Sequence, residues 1–316
     1  MSRVGAKMAP EGQETPSLIS RRPFLQSVLV MAGSLSNSSG SLSAAATDTS
    51  GSSLPSFSAG ARERETMEFE VNGYRMHYSG FGNAADEPLL WLHGWSGTGV
   101  DWKYIFKDVP PGFRLIGPDM RGNGASTGFQ GTHSFRQSAR DIFALLDHLG
   151  IRRAKAIGLS GGGIAALHMA TQQPDRIIAM IAISAPPYFP AQARAIQRQF
   201  SFASLPETEQ TAMRERSRGG QKQIDWLMEQ TRAMATTYDD INFTPPILGT
   251  ITARTLIVFG DTDPLYPVRL ALELREAIPR SSLWVVPNGG HGPVFGPNAL
   301  HFAEKATAFL RGDWPK

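Results

Sequence analysis

Apolar and polar positions along the chain follow two different periods, and the switch between them recurs. Short runs that are alternating or continuously apolar, the mark of strands, occupy residues 67–71 and 74–78, then 89–92 and 113–116. The first two flank Asn72-Gly73, a pair that tolerates the positive φ of a two-residue hairpin turn. From Ser134 to Gly150 the apolar residues Phe135, Ala139, Ile142, Leu145, Leu146 and Leu149 instead recur at helical spacing. Ser134 is placed to cap that helix and Gly150 to end it. The alternation then repeats: strand 154–159, helix 162–171 ended by Pro174, strand 177–184. After a gap come strand 254–259, helix 269–278, strand 282–286 and a last helix over 298–310. Strands separated by helices predict an α/β fold with a mostly parallel central sheet and helices on both faces. The gap, 187–248, reads as charged helices at about 192–200, 206–218 and 221–237. It predicts an inserted helical cap over the carboxyl edge of the sheet, where such sheets bind ligands. No internal repeat is present.

Composition narrows this picture at the front end. Residues 36–60 are dominated by Ser, Gly, Ala and Thr, which cannot bury enough apolar surface to offset the entropy of ordering. Ahead of them, Arg21-Arg22-Pro-Phe24-Leu25 precedes a short apolar run over 27–35 and then Ala44-Ala-Ala46. The order resembles a bacterial twin-arginine signal, and the run is too short to span a bilayer. The expected organisation is therefore a signal peptide over 1–46, a Ser-rich linker over 47–66, a core made of 67–186 and 249–316, and a cap over 187–248. That signal implies export to the periplasm or medium; without a working signal the protein stays cytoplasmic.

Charge and cysteine content exclude several classes. The net charge is +3, and the first 46 residues hold four of the cations, Arg3, Lys7, Arg21 and Arg22, against Glu11 and Glu14. The remainder is close to neutral and has no basic cluster, so a small-molecule partner is expected and nucleic acid is not. There is no cysteine, which removes thiolate nucleophiles, disulfides and cysteine-ligated metals. No histidine or carboxylate pair has metal-ligand spacing, and the glycines at 94–99 lack the pattern of a phosphate or dinucleotide loop. Neither metal nor cofactor is expected, and no stable membrane span.

The candidate chemistry lies in Gly158-Leu-Ser160-Gly-Gly162. The same five-residue spacing occurs at Gly124-Ala-Ser126-Thr-Gly128, so context has to choose between the serines. A serine hydroxyl is a weak nucleophile unless it is held exposed beside a base and an oxyanion site. Ser160 follows an apolar strand and precedes a glycine-started helix, so the chain must turn sharply there. Ser126 has neither neighbour and reads as a turn residue.

With these motifs the chain resembles the α/β-hydrolase family from about residue 67 to 312. His93-Gly94-Trp95 after a strand is similar to the family's oxyanion loop, the segment from Pro118 to Ser126 to its conserved loop, and Gly158 to Gly162 to its nucleophile elbow. Gly260-Asp261-Thr-Asp263-Pro264 falls at the acid position and Gly290-His291-Gly292 after the last strand. The resemblance implies an α/β-hydrolase fold and a serine hydrolase in which Ser160 attacks a carbonyl and forms an acyl-enzyme. His291 would be the general base and Asp263, favoured over Asp261, the orienting acid. The backbone N–H groups of Trp95 and Gly161 would hold the oxyanion.

A serine in place of an aspartate at the elbow argues against dehalogenation and epoxide opening. The expected substrate is a small-to-medium carboxylic ester or lactone in an apolar pocket. Carbon–carbon bond hydrolysis, proline iminopeptidase activity and perhydrolysis are alternatives within the fold, the second needing acidic groups such as Glu207, Glu209 or Glu215. A ligand-binding receptor is the non-enzymatic alternative. Trp95, Tyr188, Phe189, Trp226, Met234, Tyr238 and Phe243 are candidates for the pocket wall, collected near the insertion. His93 reads as a support of the oxyanion loop. His77, His133, His148, His168 and His301 read as surface or satisfied core residues, and Asp119 with Arg121 as a structural tie.

Overall fold

The computed structural model describes residues 63–314. The expected signal peptide and most of the expected linker lie outside the described residues. Strand β1 (Glu63–Val71) begins at Glu63 rather than at 67, so the end of the expected linker belongs to the sheet. The other strands are β2 (Tyr74–Phe81), β3 (Glu87–Leu92), β4 (Phe113–Pro118), β5 (Ala154–Leu159), β6 (Ile177–Ile183), β7 (Arg254–Gly260) and β8 (Ser281–Val286). They form one sheet in the order β1-β2-β4-β3-β5-β6-β7-β8. β2 is antiparallel to both β1 and β4, and the pairs from β4 through β8 are parallel. The β1–β2 hairpin turns at Asn72 and Gly73 with φ of 45° and 81°, as the Asn-Gly pair predicts.

Alternate residues of each central strand enter different apolar layers. Leu90 and Leu92 of β3 join one layer, which also holds residues of α1 (Phe135–His148), α2 (Gly161–Gln172) and α7 (Val268–Ala277). Leu89 and Trp91 join the other, with Trp102, Phe106 and Phe302 of the C-terminal helix α8 (Ala299–Arg311). All six residues of β5 are buried, as a strand covered on both faces requires. Fully burying a large apolar side chain stabilises by about 1.5–3 kcal/mol, so this central strand is held firmly where it ends at residue 159.

Between β6 and β7 the sheet is interrupted by helices α3 (Ala191–Gln199), α4 (Glu207–Arg216), α5 (Gly220–Met234) and the short α6 (Pro245–Leu248). Phe200, Leu205, Met213, Ile224, Trp226, Leu227 and Met228 make a separate apolar cluster, against which Trp95 packs. The insertion is tied to the loop after β4, since Gln223 Nε2 donates to the Gly122 and Gly124 carbonyls. Among the described residues, no helix is long and apolar enough to cross a membrane.

Candidate active site

β5 delivers Ser160 at a turn so tight that the serine has φ 48° and ψ −113°, a combination that L residues rarely adopt. The turn is pinned on both sides. Ser160 N–H donates to the Ile183 carbonyl of β6 at 2.7 Å, and Ile164 N–H donates to the Ser160 carbonyl at 2.9 Å. A side-chain carbon at Gly158 would run into the Gly162 backbone, and one at Gly162 into the carbonyls of Leu92 and His93. The two glycines of the motif are therefore set by the close approach of strand, turn and helix.

Ser126 is the contrast. Its Oγ accepts from His77 N–H at 2.8 Å and donates to the Asp119 carbonyl at 2.5 Å, so both capacities are used within a structural loop. Asp119 organises that loop through the N–H groups of Gly99 and Ala125 and through His77 Nδ1. Arg121 pairs with Asp141 at 3.1 Å and not with Asp119, so the two expected members of one tie serve two different ties.

The residues expected around Ser160 meet there. His291 Nε2 lies 2.9 Å from Ser160 Oγ, and His291 Nδ1 lies 2.8 Å from Asp263 Oδ2. A carboxylate can only accept, so Nδ1 carries the imidazole proton and Nε2 is free to accept from the serine hydroxyl. Asp263 Oδ1 in turn accepts the N–H groups of Leu265 and Tyr266 at 2.8 and 3.1 Å. Asp263 is buried, whereas Asp261 is exposed at the surface. Such a chain of groups can move a proton from Oγ to the imidazole while the buried carboxylate fixes the ring and its tautomer.

Trp95 and Gly161 also converge. A side-chain carbon at Gly161 would lie 3.5 Å from the Trp95 amide nitrogen, so the two amides come together beside the nucleophile turn. The loop that carries Trp95 is anchored by His93, whose Nδ1–H donates to the Gly94 carbonyl at 2.7 Å and whose Nε2 accepts Met120 N–H at 2.9 Å. Asn123 adds a bond from its Oδ1 to Ser96 N–H. The expected supporting role of His93 matches these contacts.

A small cavity between the insertion and the start of α1 is lined by His133, Phe135, Phe189, Gln230, Met234 and Asp240 among others, and Ser160, Asp263 and His291 do not line it. Of the residues expected at a pocket wall, Phe189 and Met234 line it, and Trp95 and Trp226 lie tilted against one another with ring centroids 6.3 Å apart. Three do not belong there. Tyr238 is 60% exposed under Arg194, Phe243 packs on His168, and Tyr188 hydrogen-bonds Glu273. Among the described residues, no group of three His, Cys, Asp or Glu is arranged to hold a metal ion.

The expectation that His133 is a surface or satisfied core residue is corrected by the structure, and Tyr266 carried no expectation at all. His133 is buried with both ring nitrogens unpartnered, edge-on to Trp95 at 4.5 Å, and burial lowers its pKa to about 4. Tyr266 lies against His291 with ring centroids 5.1 Å apart, and its backbone N–H donates to Asp263 Oδ1. The only local signal is a tyrosine three residues past Asp263, held between Pro264 and Pro267.

A family description of the alpha/beta hydrolase fold matches residues 87–208. The chain is 26% identical to a 2-hydroxy-6-oxo-6-phenylhexa-2,4-dienoate hydrolase of Comamonas testosteroni over 77% of this chain and 94% of that protein. A shorter stretch is 36% identical to a soluble epoxide hydrolase of Corynebacterium sp. (strain C12), covering 34% of this chain and 37% of that one. In three dimensions it is similar to a bacterial membrane phospholipase A, with TM-score 0.68, 21% identity and coverage of 80% and 87% of the two chains, a likeness of fold. The chain has the α/β-hydrolase fold, and its residues 87–208 match the family description of that fold.

Proposed function

We propose that the protein is a serine hydrolase that cleaves a small-to-medium carboxylic ester or lactone through an acyl-enzyme on Ser160. The observation that carries this reading is the continuous chain Ser160–His291–Asp263, with contacts of 2.9 and 2.8 Å, on a strained turn at the end of β5. His291 takes the Oγ proton as the nucleophile attacks and returns it to the leaving oxygen, while Asp263 stabilises the imidazolium. The Trp95 and Gly161 amides receive the charge that develops on the carbonyl oxygen. Losing one such donor typically removes about 2.7–4 kcal/mol of transition-state stabilisation.

The insertion serves in this reading as a cap, supported by its contact with Trp95 and by the cavity beneath α5. Glu207 and Glu215 are exposed, and Glu209 is buried near Arg216, so none of the three is presented to the Ser160 site as a partner for a substrate amine. The Arg21-Arg22 segment supports a further proposal of export, which the intact mass of protein recovered from the periplasm would test.

The activity test is hydrolysis of 4-nitrophenyl esters from acetyl to dodecanoyl, with lactones and a dienoate in parallel and Ser160→Ala as control. Ester or lactone turnover that disappears in the variant is expected. Turnover of the dienoate alone would replace the ester reading by carbon–carbon hydrolysis, and tight ligand binding without turnover would replace it by a receptor.

A further inference from the structure

We infer that Thr231, on helix α5 of the insertion, is a positioning residue for the reaction proposed above: it holds the Trp95 indole so that the Trp95 amide stays where the oxyanion forms. The inference rests on the serine-hydrolase reading. The Thr231 hydroxyl is buried and engaged at both ends, accepting from Trp95 Nε1–H at 2.8 Å and donating to the Leu227 carbonyl at 2.8 Å. Because its proton points back into the helix, a lone pair faces the indole. The contact joins the loop after β3 to a residue 136 positions later.

Helix α5 can serve as a fixed anchor because one of its faces is tied to the core. Gln223, Trp226, Gln230 and Thr231 recur at helical spacing, and each bonds a loop outside the insertion. Gln223 Nε2 donates to the Gly122 and Gly124 carbonyls, Trp226 Nε1–H donates to the Gly131 carbonyl at 2.9 Å, and Gln230 Oε1 accepts His133 N–H at 2.9 Å. The Trp95 ring lies along the same seam, edge-on to His133 at 4.5 Å and to Phe135 at 6.1 Å.

The direction and the position of the Trp95 amide have separate causes. A trans peptide unit is planar, with its N–H opposite its C=O. The Gly94 carbonyl shares that unit with the Trp95 N–H, and it accepts from His93 Nδ1–H at 2.7 Å and from Gly97 N–H at 3.0 Å. Those two bonds set which way the plane faces. The indole bond to Thr231 sets where residue 95 sits relative to Gly161, where an added side-chain carbon would lie 3.5 Å from the Trp95 nitrogen and 2.8 Å from the Phe135 ring. Without the Thr231 hydroxyl the indole N–H loses its acceptor and the ring must turn to find another, carrying residue 95 with it. A misplacement of about 1 Å in such a group can cost on the order of 10²-fold in rate.

The test is Thr231→Val, which keeps the shape and removes the hydroxyl, beside Thr231→Ser, which retains it. With 4-nitrophenyl butyrate, kcat in Thr231→Val is expected to fall roughly 10- to 100-fold, short of the roughly 10²–10³ for deleting an oxyanion donor outright. Acylation and deacylation both pass through an oxyanion, so KM should change little, and Thr231→Ser should keep kcat within about threefold of wild type. Trp95→Phe removes the same bond from its other end, so the combined variant should be no more than about threefold worse than the weaker single one. A wild-type kcat in Thr231→Val, or losses that multiply in the combined variant, would show a packing role only and overturn the inference. Should Thr231→Val fail to fold, Trp95→Phe decides alone: a lowered kcat with KM kept supports the inference, and a kcat near wild type overturns it. Ester hydrolysis that survives in Ser160→Ala would instead refute the serine mechanism beneath it.

Discussion

Replacing His133 by leucine tests how the buried polar groups under the insertion set the acid stability of the fold. The imidazole has no hydrogen-bond partner for either nitrogen, and burial lowers its pKa from the ordinary 6.5 to about 4, against the opposing pull of the Asp240 carboxylate. The folded protein thus holds the neutral form, while the unfolded chain takes up a proton near pH 6.5. The linkage sign follows: stability from the neutral form is complete above pH 6.5 and declines as pH falls toward 4. At about 1.4 kcal/mol per pKa unit, the loss reaches roughly 2 kcal/mol at pH 5 and 3 kcal/mol at pH 4. His168 has the same displacement to about 4, mainly by burial, although its Nε2–H donates to the Asp240 carbonyl at 2.6 Å, and it adds a second loss in the same window. Urea unfolding midpoints measured from pH 8 to 4.5 would read the effect. His133→Leu should be at least as stable as wild type at pH 7, since it removes an unsatisfied buried group. Relative to wild type it should gain about 2 kcal/mol between pH 7 and 5. Parallel stability curves for the two proteins would refute the reasoning.

Other substitutions probe the remaining parts. Gly162→Ala forces a methyl group against the carbonyls of Leu92 and His93, so it should lose about 3 kcal/mol or more and nearly all activity, read by urea unfolding and ester turnover. Asp263→Asn should abolish hydrolysis and Asp261→Asn should spare it, because only Asp263 contacts His291; the opposite pattern in kcat/KM would reassign the acid. The Asp240 carboxylate accepts from Ser134 Oγ and from the Phe135 and Arg136 N–H groups, so Asp240→Ala should destabilise the start of α1 by about 1–3 kcal/mol in thermal unfolding.

The strand and helix rhythm was legible because each element carries its own periodicity, and the Asn72-Gly73 hairpin because turn chemistry is local. The choice of Ser160 over Ser126 was equally legible: a strand before it and a glycine-started helix after it demand the strained turn. The preference for Asp263 over Asp261 needed the family resemblance, since the two residues lie two positions apart in similar sequence surroundings, and it is burial and the His291 contact that separate them. Tyr266 and His133 were not legible in the same way. Tyr266 packs on a histidine 25 positions later, and His133 is buried against Trp95 and the distant Trp226. The expected pocket wall failed at Tyr238 and Phe243 for a related reason. Aromatic side chains collected near an insertion can equally be fixed by a cation on the surface or by a histidine of a neighbouring helix.

The central claim is that Ser160 is the residue that carries the acyl group. Mixing the protein with a 4-nitrophenyl ester, quenching in acid within one turnover and measuring the mass of its peptides tests this directly. The account predicts one acyl adduct on the peptide containing Ser160, and none in Ser160→Ala. Ester turnover without any adduct, or an adduct on another residue such as Ser126, would contradict it.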